Sequence, residues 1–261
     1  MSCAADGRCG SGCTHARTVD GARRALLQGA AAMLTTLAAG VMLYAFGAAP
    51  AAARRPEEKA SAQQRWGLLI DAARCADGCT ACVAACQVEN GWRDSGRPTD
   101  AQWIRKLTVK NPSNGASFSL PMLCQHCADA PCVDVCPTGA SFKRVDGIVL
   151  VDKHTCIGCR YCMMACPYKA RSFIHEPVED QKPYAPRGKG TVESCTLCVH
   201  RVDAGREPAC VEACNDTAGG AMLIGDLNDP HSEIAKRVAA YRTTRVRADL
   251  GTEPGVYYRN I

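Results

Sequence analysis

Cys156-Ile157-Gly158-Cys159-Arg160-Tyr161-Cys162-Met163-Met164-Ala165-Cys166-Pro167 is the stretch on which the reading of this chain turns. Three cysteines fall within seven residues, a fourth follows after three more, and a proline closes the run. The pattern recurs on both sides. Cys124, Cys127, Cys132 and Cys136 stand just upstream, Cys75, Cys79, Cys82 and Cys86 further upstream, and Cys195, Cys198, Cys210 and Cys214 downstream. Every group ends in C-x3-C, and together they hold 16 of the 19 cysteines. The groups also repeat in alternation. Leu69-Ile70-Asp71 before Cys75 matches Leu150-Val151-Asp152 before Cys156, and Gly78 matches Gly158. Cys132-Val133-Asp134-Val135-Cys136 matches Cys210-Val211-Glu212-Ala213-Cys214. Two interleaved similarities of this kind point to an internal duplication.

The chemistry follows from the spacing. C-x2-C-x2-C-x3-C-P is the bacterial ferredoxin run, in which three thiolates hold one [4Fe–4S] cube and the fourth ligates the neighbouring cube. Gly158 lets the backbone approach inorganic sulfide, and Pro167 fixes the turn after the last ligand. Groups two and three are joined by a short link with a strand pattern at Gly147-Ile148-Val149-Leu150-Val151 and form one two-cluster unit, which leaves groups one and four to pair. The ferredoxin pattern then implies four [4Fe–4S] clusters: Cys75, Cys79, Cys82 with Cys214; Cys195, Cys198, Cys210 with Cys86; Cys124, Cys127, Cys132 with Cys166; and Cys156, Cys159, Cys162 with Cys136. A disulfide scaffold fits less well, because such scaffolds are short chains without another core. Structural zinc, the remote alternative, uses two well-separated C-x2–4-C pairs.

The chain's 261 residues suffice for a buried core, and 47% hydrophobic residues with near-balanced charge exclude disorder. One stretch alone is apolar and long enough to span a bilayer, which excludes a polytopic membrane protein. It runs from Gly29 to Ala49, behind Arg23-Arg24 and ahead of Ala51-Ala52-Ala53. This is the layout of an export signal, and the adjacent Arg23 and Arg24 give it a twin-arginine character. An uncleaved anchor is the alternative. A route for folded chains suits a cofactor assembled in the cytoplasm, so a periplasmic location is expected. Cys3, Cys9, Cys13 and His15 fall in this leader and are read as incidental.

The formal charge of +5 assumes neutral cysteines. Without residues 1–53 the chain has 27 basic and 24 acidic side chains. At roughly −2 per oxidised cube the loaded chain is near −5. The ten Lys/Arg against six Asp/Glu between 143 and 201 therefore read as compensation for cluster charge, with no nucleic-acid partner expected. No C-x-x-C-H run marks a c-type haem, Gly188-Lys189-Gly190-Thr191 fails as a phosphate loop, and no nucleophile–base set is visible. His126, between Cys124 and Cys127, reads as a packing or surface residue, with tuning of a cluster the alternative.

The expected fold class is α+β: duplicated bacterial-ferredoxin-like domains, short strands and helices around four clusters, preceded by a signal segment. Expected divisions are a signal segment 1–53, a linker 54–65, a cluster core 66–225 and a C-terminal helix and docking tail 226–261. Trp103–Val109, a turn at Asn111–Gly115 and the apolar run after it read as a hairpin. Residues 172–193 read as a loop, Asp229 to about Arg242 as a helix, and Gly251–Tyr258 as a non-helical tail lying over the core or a partner.

Over residues 66–258 the arrangement resembles the four-cluster ferredoxin-like subunits of membrane-associated respiratory oxidoreductases. Cys136-Pro137-Thr138-Gly139-Ala140-Ser141-Phe142-Lys143 through Cys166-Pro167-Tyr168-Lys169-Ala170-Arg171 to Glu176 looks like the periplasmic iron–sulfur subunits (DsrO) of Dsr sulfur-metabolism complexes. Gln87 and Asn215 depart from the pattern, which often has Pro after the fourth cysteine. The resemblance implies an electron-transfer subunit with no catalytic site of its own. It would relay electrons between an integral membrane quinone-interacting subunit, a periplasmic cytochrome c subunit and sulfur-handling partners. The alternative is the electron-transfer subunit of a molybdopterin oxidoreductase of tetrathionate or polysulfide type.

Overall fold

Strand β1, Trp66–Asp71, is the centre of the main sheet. It carries Leu68, Leu69 and Ile70 in succession, all buried, as expected for a strand covered on both faces. The computed structural model describes residues 60–261 apart from 111, 116, 180 and 218. The expected signal segment, Arg23, Arg24 and the three leader cysteines lie outside these residues, as does the start of the linker.

Gly67 is required in β1: a Cβ there would meet Leu227 Cδ1 at 2.4 Å and the Gly255 carbonyl at 2.9 Å. The strand ends at Asp71, whose carboxylate accepts from Ala73 N at 3.1 Å and caps a single 3-10 turn that delivers Cys75. Helix α1, Ala81–Asn90, follows and stops at Gly91 in the left-handed conformation. Strands β2, Ile104–Lys110, and β3, Ser117–Leu123, pair antiparallel from Ile104↔Leu123 to Lys110↔Ser117, the hairpin expected from the two runs and the turn between them.

The middle of the chain is built from small pieces. Helix α2, Pro131–Asp134, begins with proline at its first position. Strands β4, Ser141–Lys143, and β5, Val149–Val151, make a two-stranded ribbon, and helix α3, Tyr161–Ala165, comes next. Residues 172–193 are a loop for most of their length. Strands β6, Arg171–Phe173, and β7, Val192–Ser194, clasp its ends with Arg171 opposite Ser194. The Pro- and Gly-rich composition between them hides two three-residue strands, too short to show a period. Helices α4, Val199–Val202, and α5, Ala209–Thr217, complete this region.

Strand β8, Met222–Asp226, returns antiparallel to β1. Helix α6, Glu233–Ala240, is shorter than expected: Ser232 accepts from Ala235 N at 3.2 Å and sets its start, and Tyr241 is already extended. Strand β9, Thr243–Thr244, and β10, Val256–Arg259, close the sheet in the order β8-β1-β10-β9. The tail therefore belongs to the core, as β10 runs parallel to β1 in the register Leu68↔Val256. The ribbons are too small to be stable alone. They pack around one buried cluster in which Trp92, Trp103, Ile104, Ile148 and Tyr258 mingle with the cysteines themselves.

Candidate metal-cluster sites

Each C-x3-C pair belongs to a helix or its edge. Cys82 and Cys86 are on α1, Cys210 and Cys214 on α5, Cys132 and Cys162 begin pairs that run through α2 and α3. Residues four apart share a helix face and differ in height by about 5.4–6 Å. Helix α1 packs on α5 and α2 on α3, so each pair of helices sets two sulfurs of one against two of the other.

Three small cavities result, each with room for about 10 Å³. The first is lined by Cys124, Cys127, Cys132 and Cys166. The second is lined by Cys86, Cys195, Cys198 and Cys210. The third is lined by Cys136, Cys156, Cys159 and Cys162. The remaining four also gather: Cys214 and Cys79 act on Cys75, and Cys214, Cys75 and Cys79 act on Cys82. The sets adjoin in order. Cys162 is within electrostatic range of Cys132, Cys124 of Cys195, and Cys82 of Cys86 and Cys210. All eight cysteines of the two middle sets are buried. Cys159 is exposed at one end, and Cys75 and Cys79 are half-buried at the other.

Burial by itself favours the neutral thiol at most of these sulfurs. Burial pushes the Cys86 and Cys124 thiols up to about 12 and raises Cys195 and Cys210 well above the ordinary range. Donors nonetheless point at sulfur. Trp92 Nε1 donates to Cys86 Sγ at 3.3 Å, Asn90 Nδ2 to the same sulfur at 3.5 Å, and Arg171 Nη2 to Cys132 Sγ at 3.1 Å. Backbone N–H groups of Ser141, Val192 and Leu197 donate to Cys136, Cys156 and Cys195 at 3.3, 3.4 and 3.4 Å. Donors of this kind set cluster potentials. Bound iron would stabilise the thiolates that burial alone disfavours.

Among the described residues all 16 cysteines are free. No three His, Cys, Asp or Glu among them are placed to hold a single metal ion. One zinc ion, with Zn–S bonds of about 2.3 Å, would draw four sulfurs to within about 4 Å of one another. Three cavities alike in size, each lined by four cysteines, suit the same kind of group in each.

Other expectations gain detail. At Gly158 a Cβ would lie 2.1 Å from the Gly190 carbonyl, so the close approach the structure displays is to that backbone, at a φ of +71°. His126 is buried; Val149 N–H donates to its Nδ1 at 3.0 Å, which makes it a packing residue that fixes the loop between Cys124 and Cys127. Burial holds it neutral, near a pKa of about 3. Part of the basic excess between 143 and 201 is turned inward. Arg144 pairs with Asp146 at 2.7 Å, Arg187 with Glu193 at 2.8 Å and Arg201 with Glu89 at 2.9 Å, while Arg171 and the half-buried Lys153 face cysteine sets. Cysteine spacing does not single out Asn90, Trp92 or Arg171; the nearest signal is an amide at the end of a C-x3-C helix and an indole just after it.

This is the architecture of a ferredoxin-type electron carrier: small helices and strands around cysteine sets, and residues 116–227 match the 4Fe-4S dicluster domain family. The iron-sulfur subunit 1 of the Hdr-like menaquinol oxidoreductase of Archaeoglobus fulgidus is 42% identical over 78% of this chain and 86% of its own length. One subunit of the tetrathionate reductase of Salmonella typhimurium is 38% identical over 93% of this chain and 90% of its own. The iron-sulfur subunit ArrB of the arsenate respiratory reductase of a Shewanella species is 34% identical over 74% and 95%. The chain belongs to this family of iron–sulfur subunits, which carry electrons within oxidoreductase complexes and hold no catalytic centre.

Proposed function

We propose that the chain carries four [4Fe–4S] clusters, one per cysteine set, ligated by the 16 cysteines in the reciprocal pattern given above. The observation that carries this reading is the succession of four-cysteine sets, buried in the middle and open at both ends. Such a succession stores and relays single electrons between partners at opposite ends. The cysteines would hold the iron, and the cubes would supply the one-electron chemistry. The protein's own part is to space them, exclude water and set their potentials.

The complex would be a membrane oxidoreductase facing the periplasm, with an integral quinone-interacting subunit and a cytochrome c subunit as partners. Within it this chain would be the DsrO-type subunit of dissimilatory sulfur metabolism, exported folded through Arg23-Arg24. The quinol-linked relative supports the quinone side of this reading. A second reading, the electron-transfer subunit of a molybdopterin oxidoreductase of tetrathionate or polysulfide type, is favoured by the near full-length match to the tetrathionate reductase relative. Among the described residues no helix is long and apolar enough to cross a membrane, so attachment would run through partners or the leader.

Iron and sulfide analysis of the anaerobically purified chain tests the cofactor reading. About 16 of each per chain is expected; zinc without sulfide overturns it. Purification from native membranes separates the two complexes: an integral quinone-interacting partner supports the first reading, and a molybdenum-bearing partner the second.

A further inference from the structure

Arg171 opens β6 and is buried, with 5% of its surface exposed. Its guanidinium lies at the wall of the cavity lined by Cys124, Cys127, Cys132 and Cys166. Nη2 donates to Cys132 Sγ at 3.1 Å and to Ser141 Oγ at 2.8 Å. Ser141 in turn donates its N–H to Cys136 Sγ, a member of the adjoining set, at 3.3 Å. The guanidinium also acts on Cys124 and on Cys162, which belongs to that adjoining set. Two of its nitrogens, Nε and Nη1, are buried and have no hydrogen-bond partner. Among the described residues no carboxylate forms an ion pair with it; Arg144, Arg187 and Arg201 all have one.

A buried arginine cannot shed its proton and is costly without an opposing charge. Two unmet donors and no carboxylate require that charge to come from beside it. The two neighbouring cysteine sets are the available source, once they hold thiolate-bound iron. A cube gains one negative charge on reduction, so a fixed cation nearby stabilises the reduced form more than the oxidised one. Because Arg171 touches Cys132 of one set and acts on Cys162 of the next, its charge reaches both.

We propose that Arg171 is a positioning residue shared by two clusters, raising the reduction potentials of the Cys124 set and the Cys156 set together. The proposal rests on the four-cluster reading, which iron and sulfide content of the unaltered chain tests separately.

The experiment is an EPR-monitored redox titration of the full iron-loaded chain, unaltered and as Arg171→Met, Arg171→Lys and Ser141→Ala. Methionine removes the charge and keeps much of the volume. Two of the four reduction steps should shift down in Arg171→Met, each by about tenfold in its equilibrium constant, or about 59 mV for one electron. Arg171→Lys should recover part of that shift, since it restores charge without the fork. Ser141→Ala frees Nη2 from its second acceptor and should move the same two steps by less. A shift in one step only, or in none at full iron content, overturns the proposal. Loss of iron from all three variants would make Arg171 a scaffold residue and overturn it equally.

Discussion

Cys82 and Cys86 stand one turn apart on the same face of α1 and serve different cysteine sets. Cys86 lines the cavity of Cys195, Cys198 and Cys210, while Cys82 keeps company with Cys75, Cys79 and Cys214. Helix α5 answers with the same division, Cys210 toward one set and Cys214 toward the other. The C-x3-C spacing is therefore a bridge: one helical turn spans two neighbouring sets, and two helices facing each other exchange a cysteine.

Replacing Cys214 with Ser should disturb the cluster of Cys75, Cys79 and Cys82, although 139 positions separate Cys214 from Cys75. The cube held by Cys195, Cys198 and Cys210 should keep its signal. Low-temperature EPR on this variant beside a Cys75→Ser variant decides the matter. Loss of different signals in the two variants would show that each group closes its own cluster.

The Trp92 indole is buried and gives its N–H to Cys86 Sγ at 3.3 Å. Trp92→Phe removes that donor and leaves most of the apolar volume. One reduction step should fall, by less than the tenfold, or about 59 mV, expected from removing a full charge. Iron content should stay unchanged. A redox titration with no step displaced would assign Trp92 to packing alone.

The cysteine pattern made the sets legible because their spacing is dictated by one rigid group, whatever surrounds it. The hairpin from Ile104 to Leu123 was legible for a related reason: two strand-like runs of seven residues flank a turn rich in Asn, Pro, Ser and Gly. Strands β6 and β7 left no such trace, since three residues hold no period and their pairing spans a loop rich in Pro and Gly. The parallel pairing of β10 with β1 joins Leu68 to Val256 across most of the chain, a contact that local propensity does not encode. Arg171 was hidden too, because its role depends on which sulfurs surround it in space.

Export offers a test at the level of the whole cell. Arg23 and Arg24 present planar, forked donors that lysine does not reproduce. The Arg23→Lys, Arg24→Lys double variant keeps its charge, and it should accumulate in the cytoplasm as a folded, iron-bearing chain. Fractionation with iron analysis of each compartment reads the outcome. Normal periplasmic delivery would set the twin-arginine reading aside.

The tail holds one site shut. Tyr258 on β10 is fully buried; its hydroxyl donates to the Pro121 carbonyl at 3.2 Å and accepts from Gln125 Nε2 at 3.1 Å. Gln125 adjoins Cys124, and its carbonyl accepts from Gly255 N at 2.8 Å. Glu253 O accepts from Ala128 N, next to Cys127, at 2.9 Å. The strand thus braces the loop that carries two cysteines of one set. Tyr258→Phe loses one hydrogen-bonding group and should cost about 1 kcal/mol, with iron retained. Tyr258→Ala leaves a cavity worth about 3–5 kcal/mol and frees that loop. Chelator-driven bleaching of the visible absorbance should then turn biphasic, with about a quarter of the iron lost early. Uniform loss of all iron in a single phase would mean that the tail supports the fold as a whole and not this site in particular.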